Sequence, residues 1–132
     1  MVFAEASLLL GGTFTLFMAV FHCFFFRRFN WEKEYAKISG TNQRIFFTIH
    51  LALLILFFIM AAITIFCYRE LSQGQGLSFW LLLGFSLFWF WRTIWQIVYF
   101  KPAKGSWLVI MHWLLTMVFF ILAVSYLLPL IV

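Results

Sequence analysis

Four apolar stretches, near 6–26, 45–67, 77–100 and 106–131, take up most of this chain and leave little else to fold. Each is long enough to cross a bilayer, which takes about 17–25 residues of helix. Hydrocarbon offers backbone groups no water, so a spanning segment must satisfy them internally, and a helix does so. None of the four carries a polar face wide enough to meet water as a surface helix would. The 132 residues are 66% hydrophobic and only 10% charged, against about 25% charged in an ordinary soluble domain. The expected fold is all-α and integral to a membrane, as one domain over 1–132. Short second and third connections favour antiparallel neighbours, hence an up-down four-helix transmembrane bundle.

The first stretch reads as a span rather than a cleaved leader. Its early charge is the acidic Glu5 where a leader is basic, and its apolar run is too long. Charge outside the spans then sets orientation. The connection 27–44 holds Arg27, Arg28, Lys33, Lys37 and Arg44 against Glu32 and Glu34. The connection 101–105 holds Lys101 and Lys104, while Arg69 and Glu70 cancel in the second connection. Basic loops stay on the cytoplasmic side. The expectation is a bacterial inner-membrane protein with loops 27–44 and 101–105 cytoplasmic and both termini external. Basic residues that flank spans are accounted for as topology signals, so no nucleic-acid partner is expected.

The first connection alone has room for structure. Asn30 suits an N-cap, and Glu32 and Glu34 suit a helix start. Trp31, Tyr35 and Ile38 then share one face. Residues 30–38, within an interfacial segment 29–39, are expected to lie along the membrane surface with that face down; were the face turned to the cytosol instead, Trp31 and Tyr35 would make it a docking surface. Ser39-Gly40-Thr41-Asn42 breaks and recaps the chain, and Pro102 and Gly105 separate the third and fourth spans. Cys23 and Cys67 fall at opposite ends of their spans, too far apart to bond.

Ionisable groups inside the spans are the functional clue. His22 lies five residues from Arg27, His50 six from Arg44, His112 eight from Lys104 and Arg92 nine from Lys101. At the helical rise, all four lie roughly 8–14 Å inside the charged boundary. A charge at mid-membrane costs about 2.5–3.5 kcal/mol on insertion scales, and no acid lies inside any span to offset Arg92. At helical spacing, the smaller or more polar faces run Gly11, Thr15, Met18, His22; Gln43, His50, Ala61, Thr64; Arg92, Gln96, Tyr99 with Trp89 and Trp95; and Gly105, His112, Thr116, Ala123, Tyr126. Small and polar faces mark helix contacts in membranes, so these four are expected to point inward together.

Several roles fit that layer. Each histidine suits an interhelical hydrogen bond, and Arg92 suits a structural partner: a tryptophan face, Glu32 or Glu34. As a site, Arg92, Gln96, His22, His50 and His112 with Trp89 and Trp95 would hold an anion, a haem, a quinone or a lipid. Three imidazoles are also a zinc or copper ligand set, though no local His-x-x-x-His spacing supports a metal. No carboxylate pair or nucleophile–base arrangement points to an enzyme. Two classes follow. One is a small accessory or structural subunit, associating with itself or a larger membrane complex, with Gly84, Trp91 and Trp95 on the flank of the third span as the interface. The other is a membrane ligand-binding protein with its His/Arg layer in the cytoplasmic half.

The run Phe90-Trp91-Arg92, then Gln96, the exit Tyr99-Phe100-Lys101-Pro102 and His112 beyond resemble small uncharacterised bacterial four-span membrane proteins, where a similar Trp-Arg-x-x-x-Gln-x-x-x-Phe run precedes a span with an early histidine. The resemblance covers about half the chain. It implies a four-span membrane fold and no activity.

Overall fold

The computed structural model describes residues 2–102 and 104–132, which form helices with no strand among them. In chain order these are α1 (Val2–Cys23), α2 (Phe25–Arg28), α3 (Trp31–Tyr35), α4 (Gly40–Phe66), α5 (Tyr68–Leu71), α6 (Leu77–Val98) and α7 (Trp107–Leu127), which a 3₁₀ turn over Leu128–Leu130 extends. Helices α1, α4, α6 and the extended α7 are long and apolar enough to cross a membrane. The buried core includes Leu8, Met18, Phe57, Leu82, Trp89 and Phe119. The outside is apolar as well, with Phe17, Phe47, Ile55, Ile94, Leu114 and Phe120 all exposed.

Two helices start earlier than their apolar runs. Helix α1 begins at Val2 and takes in Glu5. Helix α4 begins at Gly40 because Ser39, in extended backbone, accepts a hydrogen bond from the Asn42 N–H and caps it. The polar segment Thr41–Arg44 thereby becomes its first turn. There the Gln43 amide donates to the carbonyls of Tyr35 (2.9 Å) and Ile38 (3.1 Å), tying the preceding loop down. The other ends fall short of the apolar runs: α1 stops at Cys23 and α6 at Val98.

Asn30 does not cap α3 with its side chain. It adopts left-handed backbone, φ 52° and ψ 39°, with no side-chain cap bond. It is the joint at which the chain leaves α2 and turns back into α3, and Asn tolerates that conformation better than most residues. Helix α2 itself carries no signal distinguishable from the end of the first apolar run. Trp31, Tyr35 and Ile38 are half-buried while Glu32, Lys33 and Glu34 are exposed, so the short helix turns its aromatic face to the bundle.

Contacts along the helices show antiparallel pairs. Gly12 of α1 abuts Thr64 and Ile65 of α4, while at the other end His22 faces His50. In the second pair Ser86 of α6 donates to the Ala123 carbonyl of α7 at 2.9 Å, and Gln96 meets His112. The two pairs join chiefly along α1 and α7. On the far side α4 and α6 are not close-packed neighbours; they touch through Phe57, against Phe88 and Trp89. The bundle is therefore closed on one side and parted on the other.

Candidate functional site

The parted side opens beside Arg92. The end of the bundle that bears the connections 24–39 and 99–106 carries most of the basic residues, and is called here the basic end. There α4 and α6 diverge around a cleft of about 390 Å³, lined by Leu53 and Phe57 of α4 and by Phe88, Trp91, Arg92 and Trp95 of α6 among others. A second chamber of about 240 Å³ adjoins it, lined by His22, His50, Trp31, Tyr35, Leu53 and Arg92 among others. Arg92 and Leu53 belong to both, so the guanidinium sits where the two chambers meet.

Arg92 is half-buried, and its protein contacts leave its charge unmatched. One Nη2 hydrogen donates to Gln96 Oε1 at 3.3 Å, and the guanidinium lies over the Phe119 ring at 4.7 Å from its centroid. Among the described residues no carboxylate pairs with it; Glu34 is taken by Lys37 at 2.9 Å. Glu32 and Glu34 therefore do not clamp Arg92 to the interfacial helix, and its aromatic partner is a phenylalanine rather than a tryptophan.

The guanidinium fixes the polarity of its neighbours. Arginine only donates, so the Gln96 carbonyl must face it. The Gln96 amide nitrogen then points at His112 Nδ1, 3.2 Å away, and donates to it. His112 is thereby held with its proton on Nε2. Gln96 and His112 are both buried, so the positive end of this relay is anchored in the core by α7. His22 shows the reverse arrangement. Its Nδ1 lies 2.8 Å from the Met18 carbonyl, which can only accept, so Nδ1 carries the proton and Nε2 is left bare in the neutral ring.

The predicted polar layer thus assembles in two arms with Arg92 between them. His22 and His50 form one arm, their ring centroids 6.1 Å apart, with Phe25 packed flat on His22 at 4.1 Å. Gln96 and His112 form the other. Among the described residues no three His, Cys, Asp or Glu side chains gather into a set able to hold a metal ion, so the three imidazoles do not form a ligand trio.

The tryptophans separate sharply. Trp89 is fully buried between Phe57 and Phe119, at 5.3 and 5.6 Å, and its indole N–H has no partner. Trp95 is 44% exposed and does not join the core. With Trp91 and Tyr99 it forms an external ladder of near-parallel rings along α6, at 5.8 and 4.6 Å. The i, i+4 spacing of 91, 95 and 99 places all three on the cleft flank, one turn apart. Tyr99, read from the sequence as inward, is exposed for the same reason. Gly84 lies on the exposed side of α6, and a side chain there would meet open space.

Helix α3 contributes Trp31 and Tyr35 to the wall of the second chamber. Trp31 packs edge-on to His50 at 5.1 Å and stacks on Tyr35 at 5.7 Å. Burial raises the Tyr35 phenol above its ordinary value, so it stays a protonated donor. Arg28 lies 3.7 Å over the Trp107 ring and ties the first connection to the start of α7.

Leu53, Phe25 and Phe119 complete the site without a sequence signal of their own: each is one apolar residue among many. A second polar cluster, at the opposite end, was partly visible as in-facing hydroxyls. There Tyr126 Oη lies 2.8 Å from Thr15 and 3.2 Å from Thr64, joining α1, α4 and α7. Comparison with family models, curated proteins and solved structures finds no match to this chain, so the functional reading rests on geometry.

Proposed function

We propose that this chain is a membrane-embedded binding protein for an amphiphile whose polar head is held at Arg92 and whose apolar tail leaves between α4 and α6 into the bilayer. One observation carries the reading: a half-buried guanidinium, in a cleft lined mostly by Phe, Trp and Leu with Gln96 and Tyr99, has no anionic partner among the described residues. Such a charge is expensive inside a membrane and marks a functional site by default. An anionic or strongly accepting head would lower that cost, and the relay through Gln96 and His112 holds the guanidinium ready for it. Because the cleft opens sideways, its natural source of ligand is the bilayer rather than water.

The apolar outside of the bundle supports insertion in a membrane, here a bacterial inner membrane, as an up-down bundle. Its basic end is cytoplasmic by the distribution of Lys and Arg, which puts Arg92 in the cytoplasmic half and both termini outside. In intact cells a Lys37→Cys variant on a Cys67→Ser background is expected to resist an impermeant thiol reagent; labelling from outside would reverse the orientation.

The exposed ladder of Trp91 and Trp95, with Gly84 beside it, favours a second reading, an accessory subunit seated on a neighbouring helix. Purification from native membranes in mild detergent separates the two. Extraction, mass spectrometry and a visible spectrum are expected to find a small amphiphile, roughly equimolar with the chain, that the Arg92→Leu variant loses. A Soret band would name haem as the occupant. A stoichiometric protein partner with no bound small molecule would carry the accessory reading instead.

A further inference from the structure

We infer that the head taken by Arg92 is a single carboxylate on one apolar chain, as in a long-chain fatty acid or an isoprenoid acid. This rests on the proposal that Arg92 binds an amphiphile, and narrows it by charge, donor count and depth. The charge to be matched is one. Among the described residues no lysine or second arginine lines either chamber, so a phosphate monoester would bring a second negative charge that no cation there pairs. A neutral quinone would leave the guanidinium as uncompensated as it is alone.

The donors also suit a carboxylate. A guanidinium has five N–H groups in a planar fork, and the protein accounts for one Nη2 bond, to Gln96. The Gln96 amide is occupied on both sides, by Arg92 and by His112. What remains is an N–H edge that matches two carboxylate oxygens side by side. Depth disfavours the ordinary phospholipid. Arg92 lies six residues before the end of α6 at Val98, roughly 9 Å at the helical rise, and the first basic residue, Lys101, lies beyond that end. A two-chain lipid would have to draw its phosphodiester and glycerol that far into a cleft walled by Phe57, Phe88 and Trp91. A single-chain acid has no glycerol to bury, and its tail follows the aromatic wall of α6 out between the helices.

The test is equilibrium binding of radiolabelled palmitic acid to the full chain in nanodiscs of zwitterionic phosphatidylcholine. Hexadecanol, phosphatidylglycerol and decyl-ubiquinone run in parallel. Saturable palmitate binding is expected, weaker by roughly 10–100-fold in Arg92→Gln, the loss typical of one charge-assisted contact. Hexadecanol, with the same tail and no charge, is expected not to saturate. Leu53→Trp fills the junction of the two chambers while keeping the guanidinium, so it is expected to block palmitate too; it stands in if Arg92→Gln does not fold. Palmitate binding of equal strength in wild type and either variant overturns the inference. Saturable, Arg92-dependent binding of phosphatidylglycerol or decyl-ubiquinone without palmitate overturns the carboxylate and leaves the wider reading standing. If no probe distinguishes wild type from Arg92→Gln, both fall.

Discussion

The two ends of this bundle handle buried polarity in opposite ways. At the end opposite the basic loops, three hydroxyls from three helices meet: Tyr126 with Thr15 and Thr64. Ser86 nearby reaches the Ala123 carbonyl. Backbones press together there, since a side chain on Gly12 would come within 2.8 Å of Ile65 and one on Gly11 within 3.1 Å of Ser125. At the basic end α4 and α6 part, aromatic rings line the space between them, and a charge is present that no described residue neutralises. Hydroxyls that satisfy one another need no ligand and hold helices together; the guanidinium meets Gln96 and the Phe119 ring, and its charge has no anionic partner among the described residues.

That contrast can be broken at several points, and the largest effect is expected at Arg92. If its charge serves a ligand rather than the fold, Arg92→Leu removes an insertion cost of about 2.5–3.5 kcal/mol. Thermal unfolding in detergent is then expected to hold or rise while ligand is lost; a clear fall in midpoint would make Arg92 a structural clamp. Gly12→Leu comes next. Overpacking of a filled contact costs about 1–3 kcal/mol, so the same assay is expected to show a marked loss of stability. A neutral result would mean the closed end is looser than its geometry. Tyr126→Phe keeps the ring and deletes the shared hydroxyl. Interhelical hydrogen bonds in membranes are worth about 0.6–1.7 kcal/mol, so a modest drop is expected, with the Arg92 ligand unaffected. Gly84→Leu has open space to enter and is expected to change stability by less than about 0.5 kcal/mol. Its value is in sharpening the choice of function: a shift in oligomeric mass for this variant alone would place a partner helix on α6.

The amino-acid sequence by itself determined the four apolar helices, the basic bias of the first and third connections, and Arg92 as a charge with no acid inside any span. These are local properties: hydropathy over a window sets a helix's length, and 3.6-residue periodicity picks its polar face. The in-facing positions Thr15, His22, Thr64, His112, Thr116 and Tyr126 were legible on that ground, and all six are buried. Periodicity could not say which neighbour a face would meet. Only the tertiary structure decided that His22 pairs with His50, that His112 answers to Arg92 through Gln96, and that Trp89 turns in while Trp95 turns out. It also decided that α4 and α6 stay apart. The physical reason is that these outcomes depend on how close two backbones can come. That distance is set by small residues such as Gly11 and Gly12 pressing against partners more than fifty positions away, while bulky rings hold the opposite side open.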